Sequence, residues 1–174
     1  MKIAISYPPL ESEKGIPLLA QNRQFQWAHS PWTAFPVVLA SAATLLKKEG
    51  FEVFWDDGIN ENLKYKDWKK RILAEKPDVI AIETKTPVIK KHWQIINEIK
   101  LENPKVKIVL MGDHVTALPQ ESMDNCRVDY VLTGGDYDFM LLNLANHLTK
   151  GEKLEPGWWF RDGGNLKDTG QFVL

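Results

Sequence analysis

The chain has 174 residues, 44% of them apolar, enough for one domain with a proper core and a short appendage. Lys plus Arg number 22 and Asp plus Glu 23, so the net charge is −1, which excludes nucleic-acid or membrane-surface binding by bulk charge. The single cysteine, Cys126, excludes an internal disulfide framework and any multi-cysteine metal site, and fits the reducing cytosol.

Lys2 to Ser6 reads as a short buried strand. It meets Tyr7-Pro8-Pro9 at once, too soon for a secretory signal. Tyr7 to Thr33 holds four prolines and no sustained period, which predicts a long loop, with Trp27, His29 and Trp32 packing it onto the domain. Phe35 to Glu49 reads as a helix with Pro36 in its first turn and small residues along its face, closed by Gly50. Its apolar run, Phe35 to Leu46, is too short and too interrupted to span a bilayer. Phe51 to Trp55 is a second strand, ended by Asp56-Asp57-Gly58.

Tyr65 to Lys76 reads as an exposed, lysine-rich helix, and Asp78 to Glu83 as a third, continuously apolar strand. Val88 to Glu102 has the spacing of an amphipathic helix. Val106 to Met111 is a fourth strand, Leu118 to Asn125 a short helix or turn, and Val128 to Leu132 a fifth strand followed by Gly134-Gly135. Asp136 to Thr149 is the last helix. The tail, from Trp158 through Asp162-Gly163-Gly164 to Leu174, reads as a small hairpin or linker. Its paired tryptophans suggest a neighbouring domain.

Strands alternate with helices five times, the pattern of an α/β, doubly wound, five-stranded parallel sheet. The expected strand order is the flavodoxin-like 2-1-3-4-5, with residues 1–150 as the domain and 151–174 as the appendage. Ligands of such sheets bind at the carboxyl ends of the strands. The usual nucleotide signals are missing there. Ser6-Tyr7-Pro8-Pro9 stands where Gly-x-Gly-x-x-Gly would be, and prolines offer no N–H groups to a phosphate. No P-loop, receiver-type acidic pair or Gly-x-Ser-x-Gly elbow is present.

Small polar residues gather at those strand ends instead. Tyr7, Pro8 and Pro9 follow the first strand, Thr84, Lys85 and Thr86 the third, Gly112-Asp113-His114-Val115-Thr116 the fourth and Gly134-Gly135 the fifth. Gly112 would let the backbone come close to a ligand. His114 and Thr116 stand at the crevice beside it. The pattern suits a large cofactor better than a hydrolytic centre.

Taken together, Tyr7-Pro8-Pro9, the Pro36-led helix ending Glu49-Gly50-Phe51-Glu52-Val53, Pro77-Asp78-Val79-Ile80, Gly112-x-His114-x-Thr116-Ala117-Leu118-Pro119 and Val128-Asp129-Tyr130-Val131-Leu132-x-Gly134 resemble a cobalamin-binding domain. More narrowly they resemble the amino-terminal domain of cobalamin-dependent radical S-adenosylmethionine enzymes, over residues 1–170. The resemblance implies a corrinoid lying across the carboxyl ends of the strands, its nucleotide tail descending beside the last helix. It implies that Gly112, Asp113, His114 and Thr116 contact the tail or lower face, that Thr84 and Thr86 hydrogen-bond the tail, and that Gly134 and Gly135 give it room. Relatives whose histidine ligates cobalt carry Asp-x-His-x-x-Gly, which none of the four histidines here matches. The resemblance thus implies cobalamin held without a histidine ligand. Gly134-Gly135-Asp136-Tyr137 also replaces the Gly-Glu-x-Glu common in the radical enzymes.

The Cys-x-x-x-Cys-x-x-Cys motif is absent, so the iron–sulfur cluster and S-adenosylmethionine would belong to a carboxyl-terminal barrel of a parent chain. Two other readings remain open at this stage. One is a stand-alone corrinoid carrier. The other is a flavodoxin-like module for small ligands or protein contacts, without cobalamin.

Overall fold

The computed structural model describes residues 1–19, 25–29 and 35–172. Trp32 and residues 173–174, on which parts of the sequence expectation fall, lie outside the described residues. The first strand, β1 (Lys2–Tyr7), is followed by two short strands, β2 (Ile16–Leu18) and β3 (Gln26–Ala28). Helix α1 (Val37–Lys48), strand β4 (Glu52–Asp57), helix α2 (Tyr65–Ala74) and strand β5 (Val79–Glu83) come next. A single 3-10 turn at Thr86–Val88 leads into α3 (Ile89–Glu102), then β6 (Lys107–Met111). Two short helices, α4 (Asp113–Ala117) and α5 (Pro119–Asn125), precede β7 (Tyr130–Leu132) and α6 (Tyr137–Lys150). The chain closes with β8 (Trp158–Asp162) and β9 (Asn165–Asp168).

The main sheet has seven strands in the order β4-β1-β5-β6-β7-β8-β9. The first five run parallel, and β8 and β9 are antiparallel. Two expectations are changed here. The tail forms the expected hairpin, but it extends the five-stranded sheet to seven: β8 hydrogen-bonds to β7, pairing Leu132 with Trp158, and Trp158 is fully buried. Five apolar strands leave an open edge after β7, and a hairpin led by Trp158-Trp159-Phe160 covers it. The long loop after Tyr7 likewise contains a separate two-stranded ribbon, β2 with β3, and Phe25 packs edge-on against Trp27 at 5.3 Å.

The helices bury narrow apolar stripes at helical spacing. In α1 these are Leu39, Ala42 and Leu46, and in α6 Met140, Leu141, Leu144 and Ala145. Helix α2 buries only Trp68 and Ile72, one turn apart, and its lysine-rich face points outward. Helices α2 and α3 are joined by the Tyr65 hydroxyl, which donates to Glu98 at 2.7 Å, and by Lys69, paired with Glu98 and Glu102. The chain leaves β1 toward one side through α1 and later crosses back to β5, so the strand order reverses between β1 and β5. That reversal opens the ligand crevice of this fold class at their carboxyl ends. Among the described residues no helix is long and apolar enough to cross a membrane.

Candidate functional site

Registers align the strand ends. Tyr7 stands opposite Asp57, and Glu83 opposite Met111. The switch-point crevice is therefore floored by Tyr7 on one side and Glu83 on the other. The Tyr7 hydroxyl donates to Glu83 Oε2 at 2.6 Å, and both side chains are buried. Burial pushes the Glu83 carboxyl above its ordinary range, against the Tyr7 hydrogen bond and the Lys85 charge that lower it. Burial, then the Glu83 charge, raises the Tyr7 phenol. Lys85 is also buried, and its Nζ donates to Asp113 Oδ2 at 2.6 Å. Asp113 itself is exposed. The half-buried Tyr137 phenol, raised by burial and then by Glu83 and Asp113, completes the polar floor.

Above this floor lies a narrow cleft of about 60 Å³, walled by Pro36, Val38 and Leu39 on one side and by Tyr137 on another. Its helical rim is partly apolar. Val38, 44% exposed, lines it, and Val37 and Phe139, 55% and 61% exposed, stand within two residues of its lining residues Pro36 and Tyr137. Both lie in the first turns of helices, α1 and α6, whose starts line the cleft. Soluble proteins seldom gather exposed apolar side chains in one place unless something covers them. A roomier recess of about 570 Å³ lies beside Pro9, Leu10, Ile16, Ile59 and Leu63, and the switch-point floor takes no part in it.

The structure brings only some of the expected residues to this cleft. Tyr7 and Asp113 line it. Pro8 and Pro9 are buried, and Pro9 fits against Gly58, where a Cβ would stand 2.9 Å from its ring. Thr84 is fully buried, with its Oγ1 2.7 Å from His92 Nδ1, so its hydroxyl serves helix α3. Thr86 is exposed, and its Oγ1 is 3.2 Å from His114 Nδ1. His114 is buried and directed at the helices. It lies edge-on to Trp93, and its Nε2 is 3.0 Å from Glu121, an ion-pair distance without hydrogen-bond geometry.

The glycines are reassigned as well. Gly112, at φ +123°, was expected to admit a ligand. A Cβ there would instead overlap the backbone carbonyl of Thr84, so the close approach is between two neighbouring strand ends. Gly134, at φ +110°, faces the ring of Phe172, 2.6 Å from where a Cβ would sit, so the room expected there is filled by the chain's own tail. Gly135 faces open space. The Thr116 hydroxyl ties the two turns together, donating to the Gly112 carbonyl at 2.9 Å and accepting from the Gly134 N–H at 3.2 Å.

Glu83, Tyr137 and the apolar rim were not among the expected site residues, and Lys85 was expected only as a strand-end neighbour without a role. A charged residue closing the apolar run Val79-Ile80-Ala81-Ile82 was the available signal for Glu83. The rim had none, because apolar residues at helix starts read as ordinary core until the packing is known.

A family model described as "B12 binding domain" matches residues 28–141. The chain belongs to the B12-binding domain family. Helix α1, the first turn of α6, the rim and most of the floor fall inside the matched span, while Tyr7, the rest of α6 and the tail lie outside it. An uncharacterized methyltransferase of Pyrococcus horikoshii is 27% identical over 138 residues, covering 78% of this chain and 30% of the relative. An anaerobic magnesium-protoporphyrin IX monomethyl ester cyclase of Rubrivivax gelatinosus is 28% identical over 118 residues, covering 67% of this chain and 21% of the relative. This B12-binding domain thus spans less than a third of either relative.

Two solved structures share its fold. The radical S-adenosylmethionine methyltransferase TsrM of Kitasatospora setae, with cobalamin and a [4Fe-4S] cluster bound, superposes with a TM-score of 0.71 at 19% identity. That match covers 99% of this chain and 29% of TsrM. The cobalamin-dependent S-adenosylmethionine radical enzyme OxsB, with aqua-cobalamin and S-adenosylmethionine bound, superposes at 0.74 with 15% identity, over 99% of this chain and 22% of OxsB.

Proposed function

We propose that this domain holds a corrinoid across the carboxyl edge of its sheet, as the cofactor-binding part of a cobalamin-dependent radical S-adenosylmethionine enzyme. The observation that carries the reading is the exposed apolar rim of Val37, Val38 and Phe139 beside a buried polar floor. A corrin is a broad macrocycle with apolar faces and amide-bearing edges, and this surface offers both kinds of partner. Membership of the B12-binding family and the folds of TsrM and OxsB support it.

The rim would take the ring. Asp113, Thr86 and the open face of Gly135 would meet its polar edge or tail. Tyr7, Glu83, Lys85 and Tyr137 would form the surface beneath. Pro8, Pro9, Thr84, Gly112, His114 and Thr116 would act from below by fixing the strand ends. Gly134 joins the contact surface once Phe172 leaves it. No histidine lines the cleft: His92 and His114 are buried against α3 and its neighbours, His147 contacts the Glu152 carbonyl beyond the far end of α6, and His29 lies in the loop after β3, so cobalt would be held without a histidine ligand. When bound, the cofactor supplies cobalt able to carry a methyl group or pass an electron. The protein's share is to hold and orient it and keep water from one face. S-adenosylmethionine and an iron–sulfur cluster would come from a separate barrel in the parent enzyme, which also gives the exposed rim its second cover.

Mixing with hydroxocobalamin, gel filtration and a visible spectrum test the reading. A retained corrinoid without the spectrum of histidine ligation is expected. Absence of retention, or a histidine-ligated spectrum, would overturn the corrinoid or the ligand-free statement respectively. Val38→Asp and Phe139→Asp should each weaken retention about tenfold, equivalent to about 1.4 kcal/mol, and leave the thermal midpoint near wild type.

A further inference from the structure

Beyond β9 the chain turns back along β8 and returns to the carboxyl edge. The Thr169 N–H donates to the Trp158 carbonyl at 2.9 Å, its hydroxyl accepts from the Trp158 N–H at 2.9 Å, and the Gly157 N–H donates to the Gly170 carbonyl at 2.9 Å. Gly170 sits at φ +90°, a conformation that lets the chain turn sharply. Phe172 then drops onto the end of β7. Its ring faces Gly134, and its Cβ lies 3.1 Å from the position a side chain would take on Gly157. The Met140 methyl approaches the same side of Gly157. Two glycines with positive φ and a thioether thus wall a slot for one flat ring, next to the unobstructed face of Gly135.

We infer that Phe172 is a displaceable occupant of this slot, and that corrinoid loading at the carboxyl edge expels it. The inference rests on the corrinoid reading above. Three features support it. The slot opens on the edge that carries the apolar rim. It is closed by one side chain, whereas the neighbouring Gly112 turn is closed by strand backbone. And the tail's described backbone hydrogen bonds end at Gly170, so the ring can leave while β8 and β9 stay paired. The tail after Gly170 would then report whether the cofactor is in place.

The experiment follows hydroxocobalamin association by absorbance in wild type and Phe172→Ala, and proton–proton NMR contacts between the Phe172 ring and Gly134 with and without hydroxocobalamin. If the ring fills the slot nine-tenths of the time, Phe172→Ala binds about tenfold tighter than wild type. Loading should also abolish the ring contacts to Gly134 in wild type. Equal or weaker binding by Phe172→Ala, or ring contacts to Gly134 that persist in loaded wild type, overturns the inference and leaves the corrinoid reading standing. If neither protein retains hydroxocobalamin, the corrinoid reading fails and the inference falls with it. Retention by Phe172→Ala alone supports both.

Discussion

The Gly112 and Gly134 turns look alike in sequence: each is a glycine within two residues of the end of a buried parallel strand. They differ in what faces them. Gly112 meets the carbonyl of Thr84, whose N–H donates to Met111 at 2.8 Å and whose hydroxyl contacts the fully buried His92. It belongs to a dry, interlocked layer with no freedom to part. Gly134 meets a half-buried ring from a returning tail. One glycine lets the sheet close on itself, and the other leaves a slot that a side chain can vacate. A glycine at a strand end therefore marks a close approach, and only the identity of the approaching atom says whether a ligand can take that place.

The largest test is Gly112→Ala. The residue's φ of +123° and ψ of 180° are essentially reserved for glycine, and the clash is with backbone. A loss of about 3 kcal/mol or more is expected in denaturant unfolding, with no rescue from any tail variant. Gly134→Ala should lose less, about 2 kcal/mol, because a side chain can yield. Part of that loss should return in Gly134→Ala/Phe172→Ala, and strict additivity of the two changes would show that the turns do not differ as described.

Acid should separate the two turns next. Burial holds the His92 imidazole down to about 3, against an ordinary 6.5. Its folded value lies below its unfolded value, so the unfolded chain takes up the proton first. The stability this contributes is complete above pH 6.5 and declines as pH falls toward the folded value. At pH 5.5 the loss from this group is about 1.4 kcal/mol relative to pH 8, and the wild-type minus His92→Gln difference isolates it. Glu83 works with the opposite sign. Its raised carboxyl favours the protonated fold, so its contribution is present below the ordinary 4.5 and is lost as pH rises through its folded value. Amide protection factors near Gly112, corrected for the intrinsic pH dependence of exchange, should fall with acid before those near Gly134 do.

The smallest effect belongs to the link between the turns. Thr116→Val removes a hydroxyl that serves both glycines and should cost about 1 kcal/mol. Chemical shifts should move at both Gly112 and Gly134. Movement at one alone would mean the two turns are independent.

Much of the framework was legible because periodicity and apolar runs report burial along a local segment. The α/β class, the five parallel strands and the long helices follow from Lys2–Tyr7, Val79–Glu83, Lys107–Met111 and the stripes of α1, α3 and α6. The ribbon Ile16–Leu18/Gln26–Ala28 was not legible, since three-residue strands carry too little period to rise above a proline-rich loop. Of the residues the sequence placed at strand ends, Tyr7 and Asp113 line the cleft, as does Lys85, named there without a role. Glu83 and Tyr137 were not legible, because their place depends on which strand ends become neighbours across the β1–β5 reversal.

By itself, the sequence located the carboxyl ends of the five parallel strands to within two residues and the residue types that stand there, since chain order and side-chain chemistry are local properties. Only the tertiary structure decided which of them face one another. Thr84 turned inward to His92, the Gly112 turn was closed by backbone, and the tail came back to lay Phe172 on Gly134. Contacts across a sheet edge join residues far apart in the chain, and no pattern along the chain encodes the atom that arrives from the other side.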